Sequence, residues 1–127
     1  MLAFTAKAVA ATTLPHLNSQ VVVLAEEPDG DGARLEISRS LTHTKQDRDL
    51  GQDTYCLSTQ TGATVYGGVR SYTFEGSTLT VRLDSQARDV LGVPGEFSII
   101  LEADKPTIES VRSALVEILD AGEARAE

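Results

Sequence analysis

Apolar and polar residues alternate with a period of two along most of the chain and switch to a helical period near its end. Leu35, Ile37, Arg39 and Leu41 alternate with Arg34, Glu36, Ser38 and Ser40, the pattern of a strand with one mostly apolar face. Leu79, Val81 and Leu83 alternate with Thr78, Thr80 and Arg82. Reached through a turn at Phe74-Glu75-Gly76-Ser77-Thr78, they close the clearest hairpin in the sequence. Phe97, Ile99 and Leu101 alternate with Ser98 and Glu102 and predict another strand. Val21-Val22-Val23-Leu24 is a short β-branched run suited to a buried strand, and Leu2 to Val9 reads as the first strand. Asp53 to Ser58 and Val65 to Phe74 complete the set. The second of these is interrupted by Gly67-Gly68, which marks a bulge or a close backbone approach.

The helical signals lie in the last third. Asp84 or Ser85 can cap a short helix over Ser85 to Leu91, with Gly92 at its end and Pro94 just beyond. Ile108, Val111, Leu115, Ile118 and Leu119 recur at helical spacing opposite Glu109, Arg112, Ser113 and Glu117. They predict an amphipathic helix from Pro106 to Ala121, closed by Gly122, with Val111, Leu115 and Ile118 facing a sheet. Between the strands, Leu14-Pro15-His16 and Thr61-Gly62 are turns, and Glu26 to Gly32 is a surface loop. Thr42 to Gln52 is a polar connection with room for one helical turn. Strands followed by a helix predict an α+β fold, an antiparallel β-sheet with the C-terminal helix packed on one face and one short additional helix. Residues 1–121 form one domain in this reading, and 122–127 a frayed tail.

Composition narrows the function. A chain of 127 residues with 41% hydrophobic content can bury a core without disulfides or metals, and its one cysteine, Cys56, cannot form an internal disulfide. No stretch approaches the roughly 20 apolar residues that span a bilayer. The alanine-rich start has its lysine inside the apolar stretch, unlike a signal peptide, so a cytoplasmic location is expected. The net charge of −8 reverses the basic surplus that nucleic acid or anionic lipid requires, and suits a basic partner.

Catalytic frames are missing. His16 and His43 stand in no metal-binding spacing. Asp47, Asp49 and Asp53, with His43, could ligate a hard cation, but no glutamate closes a calcium loop. Cys56 lies in an apolar strand and reads as a small hydrophobe. Tyr66-Gly67-Gly68-Val69 lacks the lysine and helix start of a phosphate loop. No cofactor or metal is expected. Two tyrosines, Tyr55 and Tyr66, sit beside small or polar residues, a combination favoured at interfaces; the same rings could instead pack in the core with their hydroxyls at its edge.

Three blocks then carry a resemblance: Leu35-Glu36-Ile37-Ser38-Arg39-Ser40-Leu41, Gln46-Asp47-Arg48-Asp49-Leu50-Gly51-Gln52-Asp53-Thr54-Tyr55-Cys56, and Tyr66-Gly67-Gly68-Val69. With Leu79 to Leu83, Leu91-Gly92-Val93-Pro94 and the closing helix, they resemble the Immunity protein 10 family of bacterial polymorphic toxin systems, from about Phe4 to Leu119. Thr42-His43-Thr44-Lys45 departs from the more acidic stretch expected there. The resemblance implies a non-catalytic cytoplasmic protein that binds and neutralises a cognate toxin. Charge alone points to a basic, nuclease-type toxin. For such a binder, an exposed loop anchored by two strands and the tyrosines near it offer fixed side chains and apolar anchors, so the expected partner-binding residues are Gln46, Asp47, Asp49, Asp53, Tyr55, Tyr66, Gly67 and Gly68. The competing readings are a small metal-dependent or thiol enzyme using His43, Asp47, Asp49, Asp53 or Cys56, and a homo-oligomeric structural subunit.

Overall fold

The computed structural model describes residues 3–29, 32–42, 45–49, 54–120 and 125–126. Strands β1 (Ala3–Ala6), β2 (Ala8–Leu14), β3 (Ser19–Ala25) and β4 (Arg34–Ser40) are followed by helix α1 (Lys45–Asp49). Then come β5 (Cys56–Thr59), β6 (Thr64–Tyr66), β7 (Val69–Glu75), β8 (Thr78–Leu83), α2 (Ser85–Leu91), β9 (Glu96–Leu101), α3 (Lys105–Asp120) and the short β10 (Arg125–Ala126). The chain is α+β, and its C-terminal helix packs on a sheet.

The strands are divided between two five-stranded sheets. One is an antiparallel meander in sequence order, β2-β3-β4-β5-β6. The other, ordered β1-β9-β8-β7-β10, is antiparallel at its centre and parallel at both margins, where β1 pairs with β9 and β10 with β7. Two expected strands therefore break where the chain changes sheet. Leu2 to Val9 splits at Lys7 into β1 and β2. Val65 to Phe74 splits at Gly67-Gly68 into β6 and β7. A period-two pattern does not record which sheet a residue joins, because both sheets bury the same kind of face.

The apolar faces of both sheets, α2 and α3 share one core. Val111, Leu115 and Ile118 are fully buried, as the helical periodicity predicts. Helix α3 lies against β2, β3 and β4 of the meander. It also reaches the other sheet: the Arg112 guanidinium stands 4.5 Å from the centre of the Phe74 ring and donates to the Phe74 carbonyl at 3.1 Å. On the meander side, Gln20 is 5% exposed. It donates to Glu117 at 2.9 Å and accepts from Arg39 at 2.7 Å, so its buried amide is satisfied at both ends.

Helix ends follow the expected chemistry. The Asp84 carboxylate accepts from the Ala87 N–H at 2.8 Å and caps α2, and Gly92 ends it in the left-handed conformation. Asp104 accepts from the Thr107 N–H at 3.0 Å at the start of α3, and hydrogen bonding first from the Thr107 side chain and then from this N–H holds its carboxyl below the usual range.

Candidate functional site

Strand alternation leaves the meander with an outer face turned away from the core. Val22, Leu24, Ile37 and Leu57 point inward and are buried, so their neighbours point outward. The registers align these neighbours in transverse rows. Thr12, Val21, Ser38, Cys56 and Tyr66 form one row, and Ala10, Val23, Glu36, Ser58 and Thr64 the next. Glu36 is the one charge in these two rows. A shallow depression of about 180 Å³ opens on this face, among Ser38, Arg39, Ser40, Thr54, Cys56 and Tyr66. Tyr66 is 48% exposed, an apolar ring with a hydroxyl on an edge strand.

The segment that carries Tyr66 is held by Tyr55. The Tyr55 carbonyl accepts from the Gly67 N–H at 2.8 Å, and the Tyr55 hydroxyl accepts from the Val69 N–H at 2.8 Å. The ring is 1% exposed, and its burial pushes the phenol pKa up. Tyr55 thus fixes the passage between the sheets from within and offers no area outward. Gly67 and Gly68 make that passage with φ of +73° and +100°. A Cβ on Gly68 would meet the Ala87 Cβ at 2.5 Å, so α2 and the passage approach too closely for any side chain there.

A second anchored segment leaves β4. Asn18, in the left-handed conformation, accepts from the Leu41 N–H through its own carbonyl and from the Thr42 N–H through its side chain. Its amide donates to the Thr42 carbonyl at 3.1 Å. Helix α1 follows, with Lys45, Gln46 and Asp49 exposed. Asp47 also lies on α1, whereas His43 and Asp53 fall outside the described residues.

Of the residues singled out in the sequence, the structure therefore places Gln46, Asp49 and Tyr66 at the surface. Tyr55, Gly67 and Gly68 hold the backbone that presents Tyr66. Asn18, Val21 and Ser38 carry no such signal in the sequence, since their part depends on register and backbone conformation. A resident nucleophile finds no support at Cys56. Burial, with the Glu36 carboxylate nearby, pushes its thiol up, opposite to the shift that activates a catalytic cysteine. Among the described residues, no three His, Cys, Asp or Glu side chains converge as a metal site would need.

No curated protein and no solved structure matches the chain. A protein-family model, Immunity protein 10, matches residues 5–109, from β1 into the first turn of α3. That span holds both sheets' central strands, the Gly67-Gly68 passage and the outer face around Tyr66, and the chain belongs to the Immunity protein 10 family.

Proposed function

We propose that this protein neutralises a cognate protein toxin by binding it stoichiometrically in the cytoplasm, without catalysis and without a cofactor. The outer face of the meander carries this reading. Its two central rows carry mostly small side chains with Glu36 as their one charge, and an exposed tyrosine stands beside a shallow depression that Arg39 also lines. Such a surface excludes water over a wide area at little cost in side-chain entropy, and Tyr66 supplies the amphipathic anchor common at binding hot spots. Gln46, Asp47, Asp49 and Asp53 border it in sequence, and belong to the same recognition surface in this reading. Protection against a lethal activity calls for nanomolar affinity or better, about 12 kcal/mol. The net charge of −8 favours a basic toxin, and a nuclease is the natural class.

The test is co-expression with the toxin encoded beside this gene, followed by a binding measurement on the purified pair. Wild type is expected to protect. Tyr66→Ala and the Asp47→Ala/Asp49→Ala double variant are expected to bind at least about tenfold more weakly while melting as wild type does. Full protection by both variants would remove this surface from the reading. Failure of wild type to protect against or bind any neighbouring toxin would remove the function itself.

A further inference from the structure

Among the described residues four strands stand at sheet margins, and they differ in one respect. β1, β6 and β10 are four, three and two residues long, whereas β2 runs for seven. Short edges are a standard protection against pairing with another chain, and so are edge lysines, prolines and bulges. β2 has none of these within its span. Ala8-Val9-Ala10-Ala11-Thr12-Thr13-Leu14 is uncharged, lacks proline, and pairs with β3 residue by residue without a register shift. Among the described residues no strand covers its far side. Half of its backbone donors and acceptors face outward as a ready template.

Beside this edge lies a groove of about 430 Å³ between β2 and α3. Its floor is small, with Ala11, Thr13, Ser110 and Ala114, so it leaves room for incoming side chains. Its charged lining consists of two carboxylates, Glu109 and Glu117. Each has one cation nearby, Arg112 at 3.6 Å and Arg39 at 3.8 Å, yet their side chains remain 58% and 59% exposed. The groove thus presents two carboxylates that remain open to solvent beside their arginines, on a protein of net charge −8.

We propose that β2 accepts an extended strand from the toxin, adding a sixth strand to the meander, with basic side chains of that strand lying in the groove against Glu109 and Glu117. Backbone pairing supplies affinity in this mode, and the alternate side chains that enter the groove supply specificity. A second copy of this chain fits less well, because twofold β2–β2 pairing would set two acidic grooves side by side. The identity of the donor rests on the immunity reading; the acidic, strand-accepting edge does not.

Two measurements separate them. The first uses a synthetic peptide, Thr-Lys-Val-Lys-Val-Lys-Thr, against its counterpart with glutamate for lysine, followed by amide shifts and hydrogen exchange of the labelled protein. The lysine peptide is expected to slow exchange within Ala8–Leu14 and to bind about tenfold tighter than the glutamate peptide. Thr13→Lys and Glu109→Lys, both at exposed positions, should each weaken it about fivefold with unchanged melting. No protection in β2, or equal binding of the two peptides, overturns the proposal. The second measurement is protection against the neighbouring toxin. If wild type protects and Thr13→Lys and Glu109→Lys protect equally well, the strand proposal falls and the immunity reading stands. If wild type fails to protect while the peptide still pairs with β2, the immunity reading falls and the strand-accepting edge stands. A dimer of the free protein that Thr13→Lys dissolves would assign the edge to a second copy and also overturn the proposal.

Discussion

The meander sheet presents two faces from the same strands, and they have opposite characters. Inward, Val22, Leu24, Ile37 and Leu57 are at most 1% exposed and pack against α3 and the second sheet. Outward, Val21, Val23, Ser38, Cys56 and Ser58 are half-buried at most, and Tyr66 is 48% exposed. The two tyrosines make the contrast at single-residue scale. Tyr55 precedes β5 and points inward, where its hydroxyl holds the Val69 N–H; Tyr66 ends β6 and points outward. Alternation thus assigns stability to one set of positions and leaves the interleaved set free for recognition. A substitution inside should cost folding energy, and a substitution outside should cost binding alone.

The largest expected effect is on the inner side. Leu115 is fully buried where α3 meets the core, so Leu115→Ala loses transfer energy and leaves a cavity, at a cost of about 2–5 kcal/mol. Urea denaturation measures it as a lower midpoint at unchanged slope. Tyr66→Ala, in the same assay, should stay within about 0.5 kcal/mol of wild type. Comparable losses for the two would break the division between faces.

Gly68→Ala comes next, where the passage between the sheets meets α2. Alanine would have to hold φ near +100° and place its Cβ against Ala87, so strain and overlap together should cost about 1–3 kcal/mol. Gly76→Ala is the matched control. It also has positive φ, +59°, but nothing lies within 4 Å of its added Cβ, so it carries backbone strain without overlap. If thermal melting places the two alanine variants together, the close approach of α2 is not what Gly68 is for.

Tyr55→Phe should follow at about 1–2 kcal/mol, since it leaves the buried Val69 N–H without its acceptor. The pH dependence sharpens this prediction. Burial raises the Tyr55 phenol above its ordinary value of 10, so the native state keeps the proton that the unfolded chain releases. The contribution is fully present below pH 10 and declines as pH rises through the native pKa above it. Wild type should therefore lose stability above about pH 10 more steeply than Tyr55→Phe. Parallel alkaline profiles would show that the phenol is not the group responsible.

These cases mark how far the sequence reaches. Helix α2, with its Asp84 cap and Gly92 stop, and the buried face of α3 were legible, because capping chemistry and helical periodicity are local. The β7–β8 hairpin was legible for the same reason. The division into two sheets was not. The splits at Lys7 and at Gly67-Gly68 depend on which distant strands are available to pair, and alternation is the same in either sheet. The candidate surface was legible only in part. Tyr66 and the Gly67-Gly68 segment drew attention through residue type, but Tyr55 and Tyr66 have similar neighbours and opposite fates. What separates them is parity relative to Leu57, which becomes meaningful only once the inward direction of β5 is known. The lateral row from Thr12 to Tyr66 joins residues up to 54 positions apart and exists only through register.

The smallest expected effect reports on the outer face directly. Cys56 lies in the row that ends at Tyr66, diagonal to Glu36 on the neighbouring strand. Its thiol is raised first by partial burial and then by the Glu36 carboxylate, so near neutrality it reacts more slowly than an open cysteine. Glu36→Gln removes only the second cause. At low salt and pH 8 it should speed alkylation of Cys56 by about twofold, and added salt should erase the difference, because the charge acts through solvent. The burial contribution remains in both proteins, so both should stay slower than the unfolded chain at the same pH. The same reaction then serves as a footprint. If the toxin covers the outer face, its addition should suppress alkylation in wild type and in Glu36→Gln alike. If it occupies the β2 edge alone, Cys56 should stay as reactive as in the free protein, and recognition would belong to the edge of the meander instead of its face.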